Sequence, residues 1–102
     1  PINKTIRYIK ANVGNPINLN MLAGIAHMSP YYYAHAFKEQ TGFSPIEYVI
    51  NSRIERAKVL LLTTTDTVEQ IAYQVGYSAS SSFITIFLKR TGSTPTDYRY
   101  GR

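Results

Sequence analysis

The stretch IAYQVGYSASSSFITIFLKRTGSTPTDY, residues 71–98, has a near copy in LAGIAHMSPYYYAHAFKEQTGFSPIEY, residues 22–48, and this repeat decides the fold. Downstream of the serine run at 78–82, matched residues of the two copies lie fifty positions apart; upstream of it they lie forty-nine apart. The extra residue of the second copy therefore lies among the serines. Each copy predicts a helix, a short turn, a second helix, a glycine that ends it and a proline that begins the next helix. The matched positions are Tyr33 with Phe83, Phe37 with Phe87, Thr41-Gly42 with Thr91-Gly92, Ser44-Pro45 with Thr94-Pro95, and Tyr48 with Tyr98.

Apolar residues recur at steps of three and four along the whole chain, which is the period of a helix with one buried face. No segment has the alternation, bounded by turns, that a strand needs. The chain is therefore predicted to be all-α. In chain order we expect a first helix with the stripe Ile6, Ile9 and Val13, a short helix from Leu19 to Ala26, a third from Pro30 to Thr41, a long linking helix from Ser44 to about Leu62, a fifth from Val68 to Val75, a sixth from near Ser80 to Thr91, and a last short turn through Tyr98.

Serine followed by proline marks two helix starts. Ser29-Pro30 and Ser44-Pro45 each place an N-cap before a proline at the first helical position, and a serine of the run at 78–82 is expected to cap the sixth helix. We expect a first helix-turn-helix subdomain over residues 1–43, a linker helix over 44–62 and a second subdomain over 63–102. The linker helix should keep one apolar face, formed by Ile46, Val49, Ile50, Ile54, Ala57, Leu60 and Leu61.

Composition narrows the possible functions. Eleven Lys and Arg against six Asp and Glu give a net charge of +5, which favours a polyanionic partner such as nucleic acid or an anionic membrane surface. The absence of cysteine excludes disulfides and thiolate metal sites. The longest wholly aliphatic run, Val59 to Leu62, is far too short to span a bilayer.

An enzyme is a poor fit to this sequence. It has no glycine-rich phosphate loop, no cysteine nucleophile and no cluster of carboxylates. The two histidines, His27 and His35, lie on different elements and do not form a metal pair with a third ligand; His27 is interpreted as a turn-packing residue. We expect no catalytic residue, no metal and no cofactor.

Two helices joined by a tight turn are the ingredients of a helix-turn-helix, whose second helix enters the major groove of DNA. Subtracting the buried stripe leaves one outward face on each second helix. The outward residues are Tyr31, Ala34, His35 and Lys38 on the third helix, and Ser81, Ser82, Thr85 and Lys89 on the sixth.

The repeated motifs resemble the DNA-binding domain of the AraC/XylS family of bacterial transcription regulators. The resemblance covers nearly the whole chain and implies a homeodomain-like domain of seven helices, with two helix-turn-helix subdomains reading one face of double-stranded DNA. It also implies a cytoplasmic regulator, usually an activator and sometimes a repressor, with RNA polymerase as an expected partner and a separate effector-binding and dimerisation domain. The residues that carry it most specifically are Ile71-Ala72, Val75 to Ser78, Phe83, Phe87 to Gly92, Thr94-Pro95 and Tyr98.

Carried over by alignment, the resemblance implies two sets of DNA contacts. These positions lack the Arg and Gln side chains that bind guanine or adenine bidentately, so readout is expected through hydroxyls, the Tyr31 ring, water and DNA shape. Further backbone candidates are Arg56, Lys58 and Arg99, and each basic residue could equally be solvated surface. Base contacts are expected from Tyr31, Ala34, His35, Ser80, Ser81, Ser82 and Thr85, and backbone contacts from Ser29, Lys38, Arg53, Lys89 and Arg90.

A linker helix from Ser44 to about Leu62 would be roughly 28 Å long at about 1.5 Å per residue. Successive major grooves of straight DNA lie roughly 34 Å apart. We therefore expect modest DNA bending, or one subdomain that engages less deeply, when both bind. The alternative function is a basic helical module that binds a protein partner or a membrane surface.

Overall fold

The computed structural model describes all 102 residues and contains seven helices and no strand, which confirms the all-α prediction. None of the helices is both long and apolar enough to cross a bilayer. The helices are α1 (Ile2–Ala11), α2 (Leu19–Ile25), α3 (Pro30–Thr41), α4 (Pro45–Thr63), α5 (Val68–Gln74), α6 (Ser80–Thr91) and α7 (Pro95–Tyr100).

Most helix starts are capped by a side chain, at Ser29 as predicted. The Ser29 side chain accepts a hydrogen bond from the Tyr32 backbone N–H at 3.4 Å. Thr67 and Gln70 form a capping box, in which the Thr67 hydroxyl accepts from the Gln70 N–H at 3.1 Å and the Gln70 side chain accepts from the Thr67 N–H at 2.8 Å. These bonds satisfy backbone donors that would otherwise have no partner in the first turn.

The predicted serine cap of α6 is wrong, because the N-cap residue is Ala79 and no side chain bonds to the first turn. The physical reason is the extra residue in the second copy. Ser78 aligns with the capping Ser29, but the insertion places it one residue before the cap. The first-turn N–H groups of α6 therefore have no side-chain acceptor, unlike those of α3.

The chain divides into two compact units, Pro1–Ser52 and Arg53–Arg102. In the first, α1, α2 and α3 bury Ile9, Leu22 and Phe37, and the start of α4 adds Val49. The Tyr48 ring packs edge-on against Phe37, with 5.4 Å between centroids. Burial of these side chains is the main stabilising term of a domain this small.

The second unit repeats this arrangement. Phe83 and Phe87 of α6 have no exposed surface, and Tyr98 of α7 meets the Phe87 ring edge-on at 5.6 Å. The later part of α4 supplies the buried Ile54, Ala57, Leu60 and Leu61, as its predicted apolar face required. Ile46 was also expected on that face, but this prediction is wrong: Ile46 lies in the first turn of α4 and is 41% exposed.

The boundary between the units falls within α4, after Ser52. One unbroken helix of 19 residues therefore gives core residues to both units. The three-part division into residues 1–43, 44–62 and 63–102 stays a prediction about domain organisation.

The turn inside each helix pair contains one residue with positive φ. In the second unit it is Gly76, at φ 98°, and in the first it is His27, at φ 56°. The two positions are equivalent in the repeat. Glycine adopts this conformation freely, whereas a side chain makes it costly, so His27 occupies a position suited to glycine.

Candidate nucleic-acid interface

The outward face of α3 carries three exposed rings in contact. The Tyr31 and His35 rings stack with 4.2 Å between centroids and 32° between planes. Tyr32 meets Tyr31 edge-on at 5.5 Å. Tyr31 and Tyr32 are 65% and 69% exposed, so this stack faces solvent and does not belong to the core. An exposed aromatic surface on a second helix suits contact with thymine methyl groups or sugar rings.

One hydrogen bond fixes the imidazole within this stack. The Nδ1 atom of His35 lies 2.9 Å from the backbone carbonyl oxygen of Tyr31, one turn earlier. In the second unit the Thr85 hydroxyl donates to the backbone carbonyl of Ser81 at 2.9 Å. His35 and Thr85 are equivalent in the repeat, so both predicted reading residues are bonded to the helix turn that precedes them.

The outward face of α6 forms a shallow concavity of about 470 Å³. Three of its five lining residues have small polar side chains, and the other two are a half-buried isoleucine and a lysine. Such a surface can approach base edges closely, since serine and threonine hydroxyls both donate and accept hydrogen bonds. The lining residues are Ser81, Ser82, Thr85, Ile86 and Lys89.

The structure therefore brings five of the seven predicted base-contacting residues to exposed sites beside a neighbour of the same set, with Tyr31 next to His35 and Ser81 next to Thr85. Ser82 is exposed on the same concavity. Ala34 and Ser80 are half-buried, which leaves each only part of its surface for a partner.

The predicted backbone-contacting lysines are free to meet phosphate. Lys38 and Lys89 are exposed and have no acidic partner. They lie in the last turns of α3 and α6, where positive charge also interacts favourably with the helix dipole. Ser29 is exposed as well, although its hydroxyl already accepts the capping bond.

Arg53 is held in place by an aromatic ring. Its guanidinium lies over Tyr77, 5.7 Å from the ring centroid, and the residue is half-buried. Burial raises the pKa of Tyr77, because the phenolate would lose its hydration, and the positive charges of Arg53 and Arg90 act in the opposite direction. Both predicted backbone arginines therefore lie near the turn of the second helix pair.

Arg99 has an internal role that the sequence interpretation missed. Its Nε donates to the Leu61 carbonyl at 3.0 Å, and a terminal guanidinium nitrogen donates to the Thr64 carbonyl at 3.3 Å. These carbonyls lie at the C-terminal end of α4, where the helix has no backbone donors left for them. Arg99 therefore joins α7 to the end of α4, and two of its guanidinium donors are bonded there.

Known proteins match both the sequence and the fold of this chain. A family model described as a helix-turn-helix domain matches residues 22–100. The C-terminal domain of AraT, a response regulator from Geobacillus stearothermophilus, superposes on 99% of the chain with a TM-score of 0.94 at 31% identity, and 84% of that domain is covered. The chain belongs to the AraC/XylS family.

Two further relatives of this AraC/XylS domain are informative. The DNA-binding domain of AdpA, a global transcriptional factor solved in complex with a target DNA, matches 99% of the chain and is itself 91% covered, with a TM-score of 0.95 at 25% identity. The bifunctional transcriptional activator and DNA repair enzyme AdaA of Bacillus subtilis (strain 168) is 38% identical over 92 residues, or 90% of the chain and 44% of AdaA. The chain thus spans less than half the length of that relative.

Proposed function

We propose that this AraC/XylS domain binds double-stranded DNA sequence-specifically, with α3 and α6 in successive major grooves. The observation that carries the proposal is the repeated outward face, in which His35 and Thr85 occupy equivalent, exposed positions on the second helix of each pair. A charge of +5 supplies the nonspecific attraction to phosphate. The role is binding, not catalysis.

Each unit would divide its contacts between bases and backbone. On α3, Tyr31, Ala34 and His35 would meet base edges while Ser29 and Lys38 meet the backbone. On α6, the shallow concavity and Ser80 would meet bases while Lys89, Arg90 and Arg53 meet phosphates. The first-turn N–H groups of α6, which no side chain caps, support a phosphate contact there.

The length of α4 bears on how both helices could bind together. Its 19 residues span about 28 Å at about 1.5 Å each, against roughly 34 Å between successive major grooves. Binding by both units would then require the DNA to bend modestly, or one unit to engage less deeply.

The full-length protein would be a bacterial transcription regulator that acts in the cytoplasm, where it reaches the chromosome and RNA polymerase. An effector-binding and dimerisation domain would lie elsewhere in it. Support comes from relatives such as AdaA, whose name includes transcriptional activation and which is longer than the chain.

Selection of binding sites from a random duplex library tests the proposal directly. The expected product is a pair of short conserved blocks whose centres lie about 10 to 10.5 base pairs apart, one block for each reading helix. Circular-permutation gel shifts of the selected site would then measure bending.

A selected site with a single conserved block would indicate that only one of the two helices reads a major groove. No enrichment of any duplex, together with salt-sensitive binding to anionic vesicles, would replace DNA binding with a membrane-surface function. Salt-sensitive capture of a protein partner in its place would indicate an interaction module.

A further inference from the structure

We propose that His35 is a protonation-dependent base reader: its single outward ring nitrogen accepts a hydrogen bond from DNA when the ring is neutral and donates one when the ring is charged. This inference rests on the proposed function, since it requires α3 to lie in a major groove. It assigns a pH-dependent base preference to one position of the DNA site.

The bond to Tyr31 determines which nitrogen is available. A carbonyl oxygen can only accept, so the Nδ1 atom at 2.9 Å from it must carry the hydrogen and donate. The neutral ring then has its lone pair on Nε2 alone. Protonation adds a hydrogen to Nε2 and leaves the Nδ1 bond unchanged. The same outward atom thus changes from acceptor to donor without any movement of the ring.

The aromatic stack limits the orientation of that atom. The Tyr31 ring lies against the imidazole at 4.2 Å, and Tyr32 meets Tyr31 from the other direction in edge-on contact. With the stack on one side and the Nδ1 bond on another, the ring loses much of its rotational freedom before any DNA arrives. A reader that is ordered in advance has less entropy to lose on binding.

The two ring states match different bases. In the major groove cytosine presents only an amino donor, whereas guanine presents two acceptors, N7 and O6. A neutral His35 therefore favours cytosine or the adenine amino group at the contacted position. A charged His35 favours guanine or the thymine O4, whereas adenine, which presents both the N7 acceptor and the amino donor, can meet either ring state.

The charged groups near His35 lie on α3 itself and on the elements that pack against it. The ring is exposed, and Lys38 and Glu39, which lie three and four residues further along α3, form no ion pair with it. Helix α2 has no charged residue. The other elements that pack against α3 contribute His27 in the turn, Lys4, Arg7, Tyr8 and Lys10 on α1, and, in the part of α4 that belongs to the first unit, Tyr48 and Glu47, which bonds to Ser44.

Site selection with the intact chain at about pH 5.5 and about pH 8 tests the inference, because these values bracket the usual range of histidine. One position in the block read by α3 should change from cytosine to guanine or thymine as the pH falls, whereas adenine should be accepted at both pH values. For two duplexes that differ only there, the ratio of affinities should change by roughly threefold to tenfold, the range of one hydrogen bond.

Two variants distinguish His35 from other sources of pH dependence. His35→Gln keeps a donor and an acceptor but cannot titrate, so its preference should be the same at both pH values. His27→Asn removes the other histidine and retains a residue that tolerates the positive φ of the turn, so the pH-dependent preference should persist. A pH-dependent base preference that survives in His35→Gln, or that disappears in His27→Asn, would overturn the inference.

The possible outcomes also separate this inference from the proposed function. Recovery of a specific site whose base preference does not vary with pH would overturn the inference alone. Equal tightening on all sequences in acid would assign His35 to phosphate, and would overturn it too. Failure to recover any duplex at either pH would overturn DNA binding itself.

An NMR measurement on the free protein tests the tautomer without DNA. Long-range correlation of the imidazole protons and nitrogens should show the hydrogen of neutral His35 on Nδ1. A predominant Nε2–H tautomer would contradict the inference, because the outward nitrogen would then donate in both charge states.

Discussion

The Tyr33 hydroxyl donates a 2.8 Å hydrogen bond to Thr5 Oγ1, and neither residue has any exposed surface. Thr5 in turn donates to the Ile2 carbonyl at 2.7 Å. The second unit replaces both members of the pair. Phe83 stands where the first unit has Tyr33. The buried positions of α1 and α4 have the same spacing, and when they are aligned Ala57 has the place of Thr5. Where the first unit buries a polar pair, the second unit therefore has an apolar one.

This pairing predicts a non-additive mutant cycle. Tyr33→Phe should lower the free energy of unfolding by about 1 kcal/mol, and Thr5→Ala should cost about 1 to 3 kcal/mol because it leaves the tyrosine hydroxyl buried without its acceptor. The double variant, which copies the second unit, should cost less than the sum of the two. Urea unfolding of the four proteins measures this coupling, and strict additivity would show that the bond adds nothing.

Arg99 should contribute to the stability of the fold through its bonds to the end of α4. Arg99→Met keeps the aliphatic stem and removes the bonds to Leu61 and Thr64, so the free energy of unfolding should fall by about 1.5 to 3 kcal/mol. Arg56→Met is the matched control, since Arg56 is exposed on α4 and should change stability by less than about 0.5 kcal/mol. Equal losses in the two variants would contradict the capping role.

Two neighbours on the face of α6 should affect DNA binding differently. Lys89→Ala should weaken binding to all sequences and reduce the salt slope by about one, because one phosphate contact is lost. Lys58→Ala is the control. It removes the same charge, but from a lysine that is already paired with Glu55 at 3.2 Å, so the salt slope should change less. An unchanged affinity and salt slope in Lys89→Ala would mean that α6 docks differently.

Thr85→Val should instead act at one or two bases. The Thr85 hydroxyl already donates to the Ser81 carbonyl, so only its lone pairs remain for a base amino group. Valine keeps the shape and removes the oxygen, which should lower the preference for adenine or cytosine at that position by about 1 kcal/mol while binding to nonspecific duplex stays constant. Competition gel shifts with single-base variants of the site measure this, and a uniform loss would refute base readout by Thr85.

Alkaline pH should destabilise the first unit through Tyr33. Burial raises the pKa of Tyr33 above 10.0, and the Thr5 hydrogen bond offsets part of this rise. The folded state then holds the phenolic proton more tightly than the unfolded state, so this stabilisation is complete below pH 10.0 and is lost as the pH rises through the raised value. Urea unfolding of Tyr33→Phe should show a shallower decline above about pH 10; an identical decline would contradict the shift.

Most of the fold was predictable because its signals are local. Periodicity, Ser-Pro starts and glycine stops fix helix bounds within a few residues, and the repeat supports the bounds shared by its two copies. The cap of α6 was missed because a single inserted residue changes which side chain reaches the first turn. The internal role of Arg99 was missed for another reason: its acceptors lie more than thirty residues away in sequence, and only the packing of α7 brings them close.

The orientation of His35 shows what sequence gives of the site and what it leaves out. An outward position follows from helical spacing alone. Which ring nitrogen faces a partner depends on the hydrogen bond between Nδ1 and the Tyr31 carbonyl, and on the contact with the Tyr31 ring. The spacing of Tyr31 and His35 allows that bond, but exposed histidines at such spacing can also adopt other rotamers.

The unit boundary inside α4 has a consequence for how such domains can be recombined. A crossover after Ser52 joins two halves of one helix, so a hybrid of two family members keeps a continuous backbone ladder only if both parents present the same helical phase at the junction. An insertion or deletion of one residue there would rotate every later side chain of the helix by about 100°, a full turn being about 3.6 residues. Evolutionary shuffling of these units should therefore tolerate substitutions in α4 far better than changes in its length.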